Sequence, residues 1–323
     1  MFGSGRSLSL TIASLVCLIT CGSAVAQSVA KPASAPETAP MAQSGGAEAC
    51  SRKNALGTSR VLEVGTTGGL EVGFKTYRHS LLLDDKEVVL TFDDGPVPGS
   101  TEQVLDALKA ECVKATFFLI GRNAQDHPNL VRREIAEGHT IGSHSWSHPE
   151  KTLRGLSEAA AQAEIVDGIS AVQTAAGMEA YVAGKPRVSF FRFPGFADTV
   201  ATRALLRDRN IGVFGADLWA SDWTSITPSA ELRLILQRLD HERRGIILFH
   251  DTRPQTAAML PSFLAELKRK GYRVVHMVPG SGTPGTLRDA LPAWSSETEA
   301  ILKQVMPGLL RPKASTPKVK HEM

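Results

Sequence analysis

From Glu87 onward, short apolar segments alternate with longer segments that have helical periodicity. This alternation is typical of βα units, which build a parallel sheet. The predicted strands share a length of five or six residues and lie at residues 87–92, 115–120, 139–143, 189–193, 212–216, 245–249 and 272–277. From these patterns alone we expect an α/β fold, either as a barrel or as an open doubly wound sheet.

The segments between the predicted strands have the apolar spacing of amphipathic helices. The predicted helices lie at residues 101–112, 128–137, 156–176, 202–210, 229–243 and 256–270, with a shorter one at 297–305. Upstream of the alternating region, residues 60–64 are predicted to form a short strand near a sheet edge.

The first 26 residues have the composition of a secretory signal peptide. Arg6 precedes an apolar run at residues 8–19, and Ala24 and Ala26 provide the small residues expected at a cleavage site after Ala26. The apolar run is too short for a stable membrane span. Lipoprotein anchoring at Cys21 is a less favoured alternative. We therefore predict an exported protein, periplasmic or secreted.

The remaining ends of the chain lack the regular alternation. Residues 27–85 are expected to form a disordered leader followed by an N-terminal extension, and residues 281–323 to form a C-terminal tail. Cys50 and Cys112 remain after signal cleavage, either as a disulfide in an oxidising compartment or with Cys112 as a buried thiol. The net charge of +3 does not indicate a nucleic-acid-binding protein, and no partner protein is predicted.

Polar side chains follow five of the predicted strands. Parallel strands open their carboxyl ends at one face, where active sites of such folds lie, so these side chains are expected to share one pocket. They are Asp93 and Asp94 after the first strand, His144 and His148 after the third, Arg192 at the end of the fourth, Asp217 and Asp222 after the fifth, and His250 after the sixth.

His144 and His148 are four positions apart, so a helical turn after Ser143 would place both rings on one face. Asp94 would then complete a set of two histidines and one carboxylate, which suits a divalent metal ion with open positions. A pair of structural histidines is the alternative. Asp93 lies beside the predicted ligand and is placed to accept a proton from a water molecule.

Arg192 and His250 have the chemistry to complete this site. Arg192 is predicted to keep Asp93 ionised through a charge-assisted hydrogen bond, with a surface ion pair as the alternative. His250 is predicted to donate a proton to a leaving group, unless it is a structural histidine. Asp222 or Asp217 would orient its ring.

Five segments together resemble the motifs of the polysaccharide deacetylases, which are carbohydrate esterase family 4 with the NodB-homology domain. They are residues 91–96 (TFDDGP), 144–148 (HSWSH), 192–194 (RFP), 222–223 (DW) and 248–250 (LFH). The resemblance implies an α/β distorted (β/α)7 TIM-like barrel as a single catalytic domain at residues 86–280. It also implies one divalent ion, zinc or alternatively cobalt, manganese or nickel. The implied reaction removes acetyl groups, chiefly N-acetyl, from chitooligosaccharides, peptidoglycan or related glycans.

The resemblance also implies a role for each matching residue. By motif position, Asp93 resembles the catalytic base, Arg192 the residue that steadies it, His250 the general acid and Asp222 the partner of that acid. The implied metal ligands are Asp94, His144 and His148, and Trp223 and Leu248 would line the acetyl pocket.

Two positions depart from the family pattern. Gly195 stands where the third motif usually has an aromatic residue, whose backbone N–H helps to bind the oxyanion. In the fourth motif Asp217 and Asp222 are further apart than usual, so either could serve His250. These departures leave a hydrolase of acetyl esters or of a small cyclic amide as an alternative. An inactive glycan-binding module is a separate alternative, against which the complete motif set argues.

Overall fold

The computed structural model describes residues 52–178 and 188–305. The strands are β1 (Thr58–Gly65), β2 (Leu70–Val72), β3 (His79–Leu81), β4 (Glu87–Asp93), β5 (Thr116–Leu119), β6 (Thr140–Ser143), β7 (Phe190–Phe191), β8 (Gly212–Phe214), β9 (Leu218–Trp219), β10 (Gly245–His250), β11 (Arg273–Gly280) and β12 (Leu287–Asp289). The helices are α1 (Ser100–Ala110), α2 (Gly121–Asp126), α3 (Pro128–Ala136), α4 (Glu158–Ala175), α5 (Val200–Asp208), α6 (Pro228–Glu242), α7 (Pro254–Arg269) and α8 (Glu297–Val305).

Within the described residues, ten strands form one sheet whose paired strands are all parallel. Hydrogen-bonded neighbours run from β9 through β10, β4, β5, β6, β7 and β8 to β2. The start of β4 also pairs with β11, which in turn pairs with β1. A separate antiparallel pair joins β3 to β12. The predicted fold class, an α/β distorted (β/α)7 barrel, is confirmed.

The seven predicted strands of the alternating region are present as β4, β5, β6, β7, β8, β10 and β11, and the seven predicted helices are also present. Residues 60–64 lie in β1, which pairs with β11 alone among the described strands and is therefore an edge strand of that sheet, as expected. Ordered elements also lie outside the expected range 86–280. Before that range in the sequence, β1 and β2 belong to the parallel sheet. After it, the chain forms β12 and α8.

The alternation of side chains along β4 explains how a carboxylate reaches the interior of the barrel. Val88, Leu90 and Phe92 belong to the larger apolar cluster, which includes residues of the surrounding helices, whereas Val89 belongs to a second cluster. Successive strand residues point to opposite faces. Asp93 therefore shares the face of Val89, and the aromatic packing of Phe92 fixes the strand on the other side.

Several predictions concern the ends of the chain. The signal peptide with Cys21, the leader and the end of the tail lie outside the described residues, as does Cys50. Cys112 is disulfide-bonded, so the alternative of a free buried thiol at this position is wrong. Among the described helices, none combines the length and hydropathy needed to cross a bilayer.

Candidate active site

Two neighbouring carboxylates reach the same pocket because the backbone changes direction at the end of β4. Asp93 is the last residue of the strand, and Asp94 has a φ of 78°. Aspartate is one of the few residues that enters this left-handed region readily. The turn is held by hydrogen bonds from the Asp94 N–H to the Phe118 carbonyl (3.2 Å) and from Asn123 Nδ2 to the Asp94 carbonyl (2.8 Å).

The segment that carries the two histidines is an irregular loop, and the helical turn after Ser143 that would place both rings on one face does not form. Ser145 and His148 have φ values of 67° and 51°. The His148 N–H donates to Ser145 Oγ over 3.1 Å, which closes the loop. The ring centroids of His144 and His148 are nevertheless 5.1 Å apart. The loop thus brings the rings together without helical spacing.

Helix α4 packs against this histidine loop and fixes its backbone. The Trp146 N–H donates to the Glu164 carbonyl over 2.8 Å, and the Glu164 carboxylate accepts from the N–H and hydroxyl of Ser147 (2.8 and 2.6 Å). A Cβ atom on Gly168 would lie 2.4 Å from the carbonyl carbon of Ser145. Only glycine at this position lets the loop lie so close to the helix.

Asp94, His144 and His148 form a set that fits a divalent cation. Their candidate ligand atoms all lie within 4.8 Å of one another, and Asp94 Oδ1 is 3.5 Å from Nε2 of His144 and 3.7 Å from Nε2 of His148. Among the described residues, Asp94 Oδ1 is buried without a hydrogen-bond partner. An oxygen in this state, facing two ring nitrogens, is suited to metal binding.

The protonation of His144 also suits a ligand. Its Nδ1 is 2.8 Å from the Arg192 carbonyl, so Nδ1 carries the hydrogen and Nε2 presents a lone pair toward Asp94. Burial, followed by the charge of His148, lowers the pKa of His144 to about 3. A neutral imidazole is the form that binds metal ions.

Arg192 lies inside the protein, so the alternative of a surface ion pair is wrong. Its side chain is fully buried, and Nη1 donates to Asp93 Oδ1 (2.7 Å) and Thr91 Oγ1 (2.8 Å). Nε and Nη2 donate to the carbonyls of Phe214 (3.1 Å) and Gly215 (2.8 Å). Burial raises the pKa of Asp93, and Arg192 opposes that rise. The hydrogen bond from Arg192 Nη1 holds the Asp93 carboxylate in one orientation.

Asp222 is the acid that contacts His250. Its Oδ1 is 2.8 Å from Nδ1 of the ring, and its Oδ2 accepts the His250 backbone N–H over 2.7 Å. Asp217 has a different position, where it accepts the backbone N–H groups of Phe74 and Ile246, each over 2.8 Å. Asp217 therefore ties the start of β10 to the segment after β2.

The environment of His250 favours its protonated form. Burial alone would lower the pKa of His250, but the charge and hydrogen bond of Asp222, with the charges of Asp94 and Asp93, raise it to about 9. Its Nε2 is 3.9 Å from Asp94 Oδ2 and lines the pocket beside the candidate metal ligands. A protonated imidazole at this place can act as an acid toward a bound molecule.

These groups share a pocket of about 290 Å³. Eight of the predicted site residues line it, namely Asp93, Asp94, His144, His148, Gly195, Trp223, Leu248 and His250, whereas Arg192 and Asp222 are buried behind them. Sequence reasoning missed further lining residues, which are Phe193, Phe196, Trp219, Arg253, Thr298, Ile301 and Leu302.

Helix α8 forms one wall of the pocket, although its residues were expected to belong to a tail. Arg154 holds the helix by donating two hydrogen bonds to Glu299 (3.0 and 2.6 Å), and Trp294 Nε1, just before the helix, donates to the Phe74 carbonyl (2.6 Å). The amphipathic pattern of residues 297–305 predicted the helix but gave no indication of its packing partner.

Comparisons with known proteins identify relatives of this chain. The sequence model of the family described as "Polysaccharide deacetylase" matches residues 82–213. A peptidoglycan-N-acetylglucosamine deacetylase of Bacillus cereus is 33% identical over 201 residues, which cover 59% of this chain and 86% of that protein. A solved structure, a peptidoglycan deacetylase of Bdellovibrio bacteriovorus, has a TM-score of 0.61 and 31% identity over 71% of this chain and 61% of that chain.

The chain corresponds to only part of some relatives. A peptidoglycan-N-acetylglucosamine deacetylase of Listeria monocytogenes is 32% identical over 191 residues, which are 59% of this chain but only 38% of that protein. This chain therefore matches well under half of the length of that protein.

Proposed function

The chain belongs to the polysaccharide deacetylase family, and on this premise we propose that it is a metal-dependent hydrolase that removes N-acetyl groups from an acetylated glycan of the peptidoglycan or chitooligosaccharide type. One observation carries the proposal. A carboxylate paired with a buried arginine, a histidine paired with a buried aspartate and a three-residue cation site all converge at one pocket.

Asp94, His144 and His148 would hold the cation, with zinc as the expected ion and cobalt, manganese or nickel as alternatives. When bound there, a divalent cation polarises the acetyl carbonyl and lowers the pKa of water. Asp93 accepts the proton of the attacking water, because its carboxylate lines the pocket and Arg192 fixes its orientation. His250 then donates its proton to the nitrogen of the departing amine, and the C–N bond breaks.

The remaining lining residues would position the acetyl group. We assign the binding of the developing oxyanion to the backbone N–H of Gly195, which stands at the family's donor position and lines the pocket. Leu248 and Trp223 supply apolar surface for the methyl group, and the ring of Trp223 also meets His250 edge-on at 6.0 Å. These contacts would hold the amide carbon between Asp93 and His250.

Acetate release from N-acetylglucosamine oligomers and from peptidoglycan fragments tests this function. We expect release that stops after chelation and returns when zinc is added. Elemental analysis should find the cation in the wild-type protein and lose it in His144→Ala. No cation-dependent acetate release from any acetylated substrate would refute the proposal.

Gly195 keeps an ester-cleaving alternative open, because glycine alters the pocket wall where the family usually has an aromatic side chain. Acetyl esters and a small cyclic amide assayed beside acetamido sugars decide between these activities. A glycan-binding module without turnover would bind glycan equally well before and after Asp93→Asn and release no acetate.

We also infer export, supported by the signal-like residues 1–26 and the cell-wall substrates printed in the names of the relatives. Sequencing the N-terminus of the protein recovered outside the cytoplasm should find Gln27. A lipidated Cys21 at the N-terminus would instead support membrane anchoring.

A further inference from the structure

A chain of hydrogen-bonded side chains runs from the pocket into the space between α6 and α7. His250 contacts Asp222, and Thr256 Oγ1 lies 2.9 Å from Asp222 Oδ2. The same Thr256 oxygen lies 2.9 Å from Oε1 of Glu231. Asp222, Thr256 and Glu231 all have no exposure to solvent. Asp222 is the last residue of this series that has a role in the proposed reaction. That reaction therefore does not explain why Thr256 and Glu231 are hydrogen-bonded behind it.

The hydrogen-bonded side chains from His250 to Glu231 share too few hydrogen atoms for both carboxyl groups to be charged. The Thr256 hydroxyl has one hydrogen, yet its oxygen is within hydrogen-bond distance of both Asp222 and Glu231. If both acids were ionised, one of these contacts would bring two oxygens together without a hydrogen between them. One of the two carboxyl groups must therefore carry a proton.

The surroundings identify Glu231 as the protonated acid. Asp222 accepts from the ring and the backbone N–H of His250, and these contacts lower its pKa although burial opposes them. Oε2 of Glu231 has no hydrogen-bond partner among the described residues. Burial and the charge of Asp222 raise the pKa of Glu231 to about 7.

Three influences favour the charged form of Glu231 instead. They are the hydrogen bond of Thr256, the charge of His250 and the amino end of α6, where Glu231 lies in the first turn. These influences do not supply a second hydrogen for the contact between Thr256 and the two acids. The hydrogen count requires one neutral acid, and the two donors from His250 to Asp222 leave Glu231 as that acid.

We propose that Glu231 is a positioning residue for the deacetylation reaction, whose protonated carboxyl donates to Thr256 so that Thr256 directs its own hydrogen to Asp222. This inference rests on the proposed function, in which His250 is the acid. The arrangement leaves one negative charge on Asp222 and fixes the carboxylate against the His250 ring. An ionised Glu231 would attract the Thr256 hydrogen and deprive Asp222 of one of its donors.

Two matched pairs of variants test the chain of hydrogen bonds. Glu231→Gln can still donate to Thr256, whereas Glu231→Leu has a similar size and no donor. We expect kcat for acetate release within about twofold of wild type in the first and about tenfold lower in the second, with KM unchanged in both. Thr256→Ser and Thr256→Val should behave in the same way. Equal kcat values within either pair would overturn the inference.

Infrared difference spectroscopy tests the proton on Glu231 without turnover. At about pH 6, below the raised pKa, wild type minus Glu231→Gln should show the carbonyl stretch of a protonated carboxyl group. An active enzyme without this band would overturn the inference and leave the proposed function intact. A wild-type protein with the band but without acetate release would refute the function and retain the protonated Glu231.

Discussion

The Arg192 guanidinium donates to the Asp93 carboxylate over 2.7 Å, and neither side chain has appreciable contact with solvent. Arg192→Met would leave Asp93 as a buried charge without its partner and remove the donors to two backbone carbonyls. We expect the free energy of unfolding in urea to fall by about 3–5 kcal/mol. The exposed Arg209→Met should change it by less than about 0.5 kcal/mol. Similar values for the two variants would contradict a stabilising role of the buried pair.

Asp93→Asn separates proton transfer from cation binding. The amide oxygen can still accept from Arg192, but it cannot take a proton from water. We expect kcat to fall by about 10²- to 10⁴-fold, while elemental analysis finds an unchanged cation content because the three candidate ligands remain. Asp94→Asn should instead reduce the cation content. A fully active Asp93→Asn enzyme would remove Asp93 from the mechanism.

Gly168→Ala tests how α4 supports the histidine loop. The added Cβ would lie 2.4 Å from the backbone carbonyl carbon of Ser145, so the loop must shift and move His144 and His148 with it. We expect zinc affinity, measured by competition with a chelating dye, to fall by about 10- to 100-fold, the range found when a supporting contact is lost. Gly285→Ala is the control, since no atom lies within 4 Å of its added Cβ. Equal affinities would show that the loop tolerates the displacement.

Ile301→Ser tests helix α8 as a wall of the substrate pocket. Ile301 lines the pocket but is not among the groups that carry the proposed chemistry. Loss of apolar surface worth about 1–2 kcal/mol should raise KM by about 10-fold and leave kcat within about twofold. Val305→Ser, an exposed change on the same helix, should leave both constants unchanged. A lower kcat at constant KM would contradict this assignment.

His139 should make the protein sensitive to acid. Its Nδ1 accepts the Ala115 N–H over 3.1 Å, and burial, followed by the charge of Lys114, lowers its pKa to about 3. The unfolded chain binds a proton near pH 6.5 and the folded chain does not, so stability falls as the pH drops below about 6.5.

His139→Gln keeps a hydrogen-bond acceptor and does not titrate in this range. Between about pH 6 and pH 4, the loss of unfolding free energy should be smaller in this variant by about 1.4 kcal/mol per pH unit. Urea unfolding across this range measures the difference. Identical pH profiles for the variant and the wild type would mean that His139 is not buried in its neutral form.

The regular part of the fold could be predicted because β4, β5, β10 and β11 are continuous apolar segments bounded by turn residues. The short strands β2, β3, β9 and β12 could not be predicted, because their two or three residues are not part of a longer predicted strand, as those of β7 and β8 are. Such segments are extended because of their partners, as β2 is beside β8.

In the site, convergence could be predicted, but local geometry could not. Asp94, His144 and His148 follow strands whose carboxyl ends meet, which follows from parallel topology alone. The left-handed conformations of Ser145 and His148 depend on the loop's contact with α4, a contact between distant parts of the chain. For the same reason the sequence favoured Asp222 as the partner of His250 without excluding Asp217, and placed α8 in a tail.

The pairing of β1 with β11 connects distant parts of the chain, and Ser59 Oγ donates to the Val274 carbonyl across 215 positions. Closing so long a loop costs conformational entropy, and this cost arises before the contacts between the two strands can offset it. Folding is therefore slower. During synthesis, β1 emerges long before its partner and must remain without it until the last strand of the sheet is made. Incorporation of β1 is therefore expected to be a late folding event, and until then its unpaired backbone is open to association with other chains.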